Sequence, residues 1–528
     1  MFEGSQAVVQ NGEGMDTKSE RALKGPQDGA QFLNGHEPPR PPPPARRLAI
    51  ISWTTFSVGV NFALLAMMFV QPSSPSDWFS KARLLPQEHL KKTNGSAPCY
   101  NSANRVLCLP RPPSPRLSFS ASEHLLLCSG NGHYVIEDEE TGACHCHACF
   151  SGGHCEQLDP DCHLNLFHGD PTLFEEYWLT QPDAPTVIPS WQGMSYFAHR
   201  NNDYLFVDYF LEQAIRKIHG MVGNAVTEGR YIVLGVGSTQ LYQAALYALA
   251  SPESPSPTPV VSAIPHYSSF EGCTKFMDSR KYKWVGDAEK FKRSATKDQP
   301  YIELVTSPNN PCGSMNKPVV NGNGSVVNDL AYYWPHYTAI TAPADYPIML
   351  WTMSKISGHA GTRLGWAIVE DASVAAKMAY FIQLNTLGLS QDAQARGITL
   401  LRAIMSSYEN QRAGGVERER QPFFHYGQAV LEGRWRRMRQ ALDNTSRFDL
   451  PEYESSFCSF LGKNFRANPA FLWLKCKAEE DCQQLLKENK IIARGGAVFG
   501  MSTQYVRVSM LDRHPLFDLL LARLASLK

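Results

Sequence analysis

Residues Trp351–Ala367, WTMSKISGHAGTRLGWA, decide how the rest of the chain is read. Lys355 closes the turn Thr352-Met353-Ser354-Lys355, and Ser357, Gly358, Ala360 and Gly361 follow it. Residues this small let a bulky planar ligand approach the backbone. Arg363, eight residues beyond the lysine, offers a planar fork suited to a phosphate or another anion. Taken alone, the same string also reads as a Lys-Gly turn before a buried strand, so the decision rests on what surrounds it.

Five further strings fall in order around it. Leu234-Gly-Val-Gly-Ser-Thr-Gln is a strand running into a turn that opens a helix, where backbone N–H groups and the hydroxyls of Ser238 and Thr239 suit an anion. Tyr267, in VSAIPHYSSF, follows a strand with a ring able to stack on a planar ligand. Asn310 sits in TSPNNPCG, an ordinary turn signature when read alone. Asp329, in VNDLAYYWPHY, is a carboxylate at a strand end, and burying it without a partner would be costly. Arg507 alternates with apolar residues in TQYVRVSM, an unusual place for arginine unless it grips an anion.

In this order the strings resemble fold-type I pyridoxal-phosphate (PLP) enzymes, and their wording is similar to the plant alliinases and tryptophan aminotransferase-related proteins. The resemblance covers residues 125–528 and implies an α/β fold, a large mixed-sheet domain followed by a smaller α+β domain. It makes Lys355 the cofactor lysine and assigns Ser238, Thr239 and Arg363, with Gln240 nearby, to the phosphate. Tyr267 would stack on the ring, Asn310 and Tyr332 would share the phenolic oxygen, and Asp329 would hold the pyridine nitrogen protonated. Leu330, Ala331, Thr352, Met353 and Ser354 would line the cofactor. Arg507 would clamp the substrate carboxylate. Tyr196, in WQGMSY, would reach the phosphate of a neighbouring subunit, which implies a homodimer with a shared active site. Cys312 stands where the family usually has an acidic or small polar residue. The implied reaction is transfer of an amino group from an aromatic amino acid, L-tryptophan, to pyruvate, giving the auxin precursor indole-3-pyruvate. Carbon–sulfur β-elimination from S-alkyl-cysteine sulfoxides, the alliin lyase reaction, is the alternative.

Ahead of this catalytic region the chain changes character several times. Residues 1–47 are polar and end in a proline run, which reads as a disordered tail. Leu48–Val70 carries no charge over 23 residues and is long enough, as a helix, to span a bilayer. Arg46 and Arg47 abut it, and the basic excess on that side places the tail in the cytosol and the body in the lumen. A cleaved signal peptide and a buried core helix are the rival readings of this stretch. Residues 71–124 read as a linker, 125–168 as a cysteine-rich module, 169–400 as the large domain and 401–528 as the small one. A long helix over Gln411–Leu442 would lead into the small domain.

Eight of the 13 cysteines lie between Cys99 and Cys162, a density that points to disulfides and an oxidising compartment. Cys99 and Cys108 are one candidate pair. The six from Cys128 to Cys162 allow fifteen connectivities, and the run CHCHACFSGGHC also has the ligand types of a zinc site. The EGF-like module of alliinases, which this frame resembles, implies Cys128–Cys144, Cys146–Cys155 and Cys149–Cys162. The same resemblance pairs Cys476 with Cys482. Sequons at Asn94, Asn323 and Asn444 agree with a lumenal body. Composition excludes a nucleic-acid binder of the usual kind, because the formal net charge is zero and no basic stripe interleaves with aromatics.

Overall fold

The computed structural model describes residues 99–102, 105–108, 127–136, 142–181, 184–190, 192–196, 206–251, 254–412, 421–443, 446–477 and 481–527. The expected tail and the Leu48–Val70 span lie outside these residues. Among the described residues no helix is long and apolar enough to cross a membrane. The chain divides into two units, residues 1–112 and 113–528. In the first, strands Cys99–Ser102 and Arg105–Cys108 form a hairpin whose register sets Cys99 opposite Cys108.

The second unit is built on a seven-stranded sheet. Its strands are β1 (Tyr231–Val236), β2 (Thr258–Ser262), β3 (Tyr282–Asp287), β4 (Ile302–Thr306), β5 (Ser325–Asp329), β6 (Ile348–Thr352) and β7 (Leu364–Val369). Their spatial order is β3-β2-β4-β5-β6-β7-β1. Neighbours from β3 to β6 run parallel, while β7 is antiparallel to both β6 and β1. Every residue of β4, β6 and β7 is buried, as a sheet covered on both faces demands. Helices supply the cover. On one face α1 (Tyr209–Val222), capped by the Asp208 carboxylate, joins a core with Leu234, Trp334, Trp351 and Trp366. On the other, α2 (Gly237–Leu249) packs with α3 (Ala372–Thr386) over Val233, Leu350 and Ala367.

This topology alone gathers the chemistry. With β7 reversed between them, β1 and β6 point the same way, so β1, β2, β4, β5 and β6 all end at one edge of the sheet. Open α/β sheets bind ligands outside those carboxyl ends. Gly237, Tyr267, Asn310, Asp329 and Lys355 each follow or finish one of these strands.

Helix α4 (Gln391–Arg412) is followed by α5 (Phe423–Leu442), which starts after Pro422. The continuous helix expected over Gln411–Leu442 is therefore two, since proline has no N–H to continue a helix from the preceding turn. Beyond it, β8 (Phe448–Asp449), β9 (Phe471–Cys476), β10 (Arg494–Gly495) and β11 (Tyr505–Ser509) form an antiparallel sheet ordered β8-β9-β11-β10. Helix α6 (His514–Ser526) covers it with Leu516, Phe517, Leu520 and Leu524.

The cysteine-rich module consists of two short hairpins, Gly132–Ile136 with Gly142–Cys146 and Phe150–Ser151 with Gln157–Leu158. Its bridges are Cys128–Cys144, Cys146–Cys155 and Cys149–Cys162, and Cys476–Cys482 closes a loop in the small sheet. These are the four pairs the resemblance implied. With its cysteines paired, the module has no thiolates to offer a zinc ion, and no metal-binding cluster occurs among the described residues. Cys273, Cys312 and Cys458 take no part in these bridges.

Candidate active site

Lys355 lies in a single helical turn, Met353–Ile356, that begins where β6 ends. Thr352 caps the turn: its hydroxyl accepts the Ser354 N–H at 3.2 Å and donates to the Ser354 hydroxyl at 3.0 Å. Two ring N–H groups hold the other end. His336 Nε2 donates to the Lys355 carbonyl at 3.1 Å, and Trp178 Nε1 donates to the Ser357 carbonyl at 2.8 Å. Burial holds His336 down to about 3, so the imidazole is neutral and its proton sits on Nε2.

The lysine amine donates to the Gly169 carbonyl and lies 5.6 Å from the centre of the Tyr332 ring. Burial lowers its pKa to about 8. The Asp170 and Asp329 carboxylates oppose that shift, while Arg507 and Arg363 add to it. One amine is thus in the field of four charged side chains, two of each sign.

Asp329 ends β5, and one of its oxygens accepts the Ala331 N–H at 3.1 Å. Burial raises its pKa to about 6, against the pull of that hydrogen bond and of Lys355. Leu330 is tied back to the Leu350 carbonyl, which fixes the strand end. Tyr332 is buried against Tyr337 and Phe471. Tyr267 is half-buried against Phe270.

At the opposite end of the site, Gly237 opens α2 with φ +70°, and a Cβ there would run into the Arg363 guanidinium. Arg363 itself has φ 54° and donates to the Ala360 carbonyl at 3.0 Å and the Ser354 hydroxyl at 3.4 Å. Ser238 and Thr239 follow in the first turn of α2. The Gln240 side chain is turned elsewhere: it accepts the Val236 N–H at 2.8 Å and donates to Asn385 and Thr386 at the end of α3. The structure therefore does not bring that side chain to the anion cradle, because its amide already caps α2 and fastens α3.

Arg507 projects from the middle of β11, 3% exposed, between its strand partners Trp473 and Arg494. It donates to Asn310 Oδ1 at 3.0 Å and to the Phe167 carbonyl, and its guanidinium lies 4.0 Å from the Phe471 ring centre. Tyr196 stands apart at 71% exposed. Phe167, Gly169, Asp170, His336 and Trp178 were not expected at the site from sequence. The last two donate to backbone carbonyls, a role no local pattern announces, although His336 lay inside the VNDLAYYWPHY string.

A planar cofactor with a phosphate at one end and a basic ring nitrogen at the other fits this donor set. The cradle of Gly237, Ser238, Thr239 and Arg363 is positive, and a side chain at Gly237 would fill it. The Asp329 carboxylate has a burial cost that a ring N–H⁺ would offset. The lysine amine stands within electrostatic reach of both ends. Fold and site together define a fold-type I enzyme whose cofactor is pyridoxal 5′-phosphate.

The family is shown by comparison. A family model described as allinase matches residues 164–528. A tryptophan aminotransferase-related protein 2 from Oryza sativa subsp. japonica is 46% identical over 380 residues, 70% of this chain and 74% of that protein. Its Arabidopsis thaliana namesake is 45% identical, over 70% of this chain and 82% of that one. An alliin lyase from Allium cepa var. aggregatum is 35% identical, over 75% of this chain and 89% of that one. Among solved structures, an aspartate aminotransferase from Rhizobium meliloti covers 69% of this chain and 91% of its own at TM-score 0.52 and 17% identity, a likeness of fold alone. The chain belongs to the alliinase family.

Proposed function

We propose that the protein is an aminotransferase that takes the amino group of an aromatic amino acid, L-tryptophan, and passes it to pyruvate, releasing indole-3-pyruvate, a precursor of auxin. The observation that carries this reading is the gap in similarity: 46% and 45% to two tryptophan aminotransferase-related proteins against 35% to the alliin lyase. The aromatic rings of Phe471 and Phe499 beside Arg507 suit an aromatic donor.

PLP supplies an electron sink for a carbanion formed next to its imine nitrogen. The chain's own residues do the rest. Arg507 binds the substrate carboxylate through its planar fork and so fixes which bond at the α-carbon faces Lys355. The Lys355 amine, its pKa lowered to about 8, would be the base that takes the α-proton and the acid that gives it back from the same face. Asp329 keeps a proton on the ring nitrogen, and Tyr332 and Asn310 steady the phenolic oxygen.

The three module bridges, paired as in alliinases, favour a second reading, β-elimination from an S-alkyl-cysteine sulfoxide. Two assays separate the readings. Tryptophan plus pyruvate should give indole-3-pyruvate and alanine, and a cysteine sulfoxide should give nothing. Pyruvate and ammonia from the sulfoxide alone would establish the lyase instead.

We also place the catalytic body in the lumen of the secretory pathway, anchored by Leu48–Val70, on the strength of the flanking arginines and the disulfides. A chain lacking residues 1–71 that still pelleted with membranes would refute the anchor. The exposure of Tyr196 supports a homodimer with shared sites.

A further inference from the structure

The disulfide module enters the active site through the chain that leaves it. From Cys162 the backbone runs into Leu164 and Leu166, both 1% exposed and packed in the core of the small sheet. Leu164–Asn165 pairs in parallel with Ile491–Ile492, the Leu166 N–H donates to the Ile492 carbonyl at 2.9 Å, and the Ser509 N–H donates to the Leu166 carbonyl at 3.1 Å. Immediately afterwards the Phe167 carbonyl accepts from Arg507, the Phe167 ring lies 3.9 Å from the Arg494 guanidinium carbon, and the Gly169 carbonyl accepts from Lys355. Both proposed working cations are thus gripped by backbone atoms of one short segment.

A two-residue strand cannot hold its own register. Strand pairs this small are marginal, and a slip of one residue moves the backbone by about 3.3 Å and turns every side chain to the opposite face. The register is set from upstream. The Cys149–Cys162 bridge ends two residues before Leu164. Arg523, from α6, donates to the carbonyls of Pro160 and Cys162 at 2.7 Å each and to that of Lys490 at 2.8 Å. Asp161 and Lys490 add an ion pair at 2.9 Å.

We propose that the cysteine-rich module is a positioning element of the active site: by pinning Leu164–Phe167 against the small sheet, it holds the Phe167 and Gly169 carbonyls on Arg507 and Lys355. Each terminal guanidinium nitrogen carries two N–H bonds. Gripping one of them with Asn310 and another with Phe167 fixes the plane in which the fork meets a carboxylate. This positioning role rests on Arg507 being the carboxylate clamp proposed above.

The test uses the full chain loaded with cofactor and two variants outside the proposed machinery. Cys149→Ala with Cys162→Ala removes the bridge; Arg523→Leu keeps the bridge and removes the three carbonyl contacts. KM for both the amino donor and the oxo acid should rise about tenfold, the loss of one charge-assisted hydrogen bond, with kcat within about twofold. The visible cofactor band should persist, since Lys355 is intact, but its pH titration should shift as the Gly169 carbonyl leaves the lysine nitrogen. If the bridge variant does not fold, Arg523→Leu decides. A lowered melting temperature with unchanged KM would overturn the proposal and leave the module a stabiliser only. Failure of the underlying reading shows separately, in an Arg507→Lys variant with an intact module whose KM for both substrates matches that of the unmodified chain.

Discussion

Asp329 and Lys355 are shifted toward each other, and both shifts cost the empty protein stability. A carboxyl raised from 3.8 to about 6 is stable in its neutral form, so its contribution is full below pH 4 and is lost as pH rises to 6. Asp329→Asn should therefore stabilise the cofactor-free chain at pH 7 by about 3 kcal/mol, with the gain vanishing near pH 4, as read by thermal melts at each pH. The same variant should lose most of its cofactor-dependent activity, because an amide cannot hold the ring nitrogen protonated. For Lys355 the sign runs the other way. Its neutral amine, favoured by burial, forms as pH rises through about 8, so cofactor loading of the empty chain should accelerate over that range and level off above it. Asp170 holds that pKa up. Asp170→Asn should move the loading profile to lower pH, and an unmoved profile would remove Asp170 from the site's electrostatics.

At the scale of elements, the lysine turn shows which features can be read locally and which cannot. Its cap, Thr352 on Ser354, is written in neighbouring residues, and β6, which leads into it, is an unbroken apolar run, IMLW, up to that threonine. Buried parallel strands announce themselves as continuous apolar runs. The edge strand β3, YKWVGD, mixes exposed and buried residues, and sequence gave it no such run. The donors closing the lysine turn were illegible because Trp178 lies 179 residues from Ser357, and no local pattern encodes that pairing. Gln240 went the other way: its place in the phosphate string was legible, but its engagement with Asn385, 145 residues on, was not. Gly237 joins the two kinds of information, since its φ of +70° and the guanidinium against its missing Cβ both require glycine. Gly237→Ala should weaken cofactor binding at least about tenfold by crowding Arg363 out of the cradle, while Gly272→Ala, where a Cβ meets open space, should leave it unchanged. Equilibrium titration of the visible band measures both.

At the scale of the whole molecule, one residue that the resemblance assigns to the site faces outward. Tyr196 is 71% exposed, with Met194 at 85% and Val187 at 88% on the same segment. Apolar side chains this bare, grouped along one stretch, are what an interface covers. A two-fold dimer would present the same segment from each copy, so each site would take its Tyr196 from the other chain. Mixing two defective variants tests this without any structure of the complex. In a mixed dimer of Lys355→Ala and Tyr196→Ala chains, a shared arrangement collects both lesions in one site and leaves the other with an intact lysine and an intact tyrosine. Activity should then return on mixing, to about a quarter of the unmodified level if subunits exchange at random. If Tyr196 serves the site of its own chain, every site in the mixture keeps one lesion and no activity above the separate variants returns.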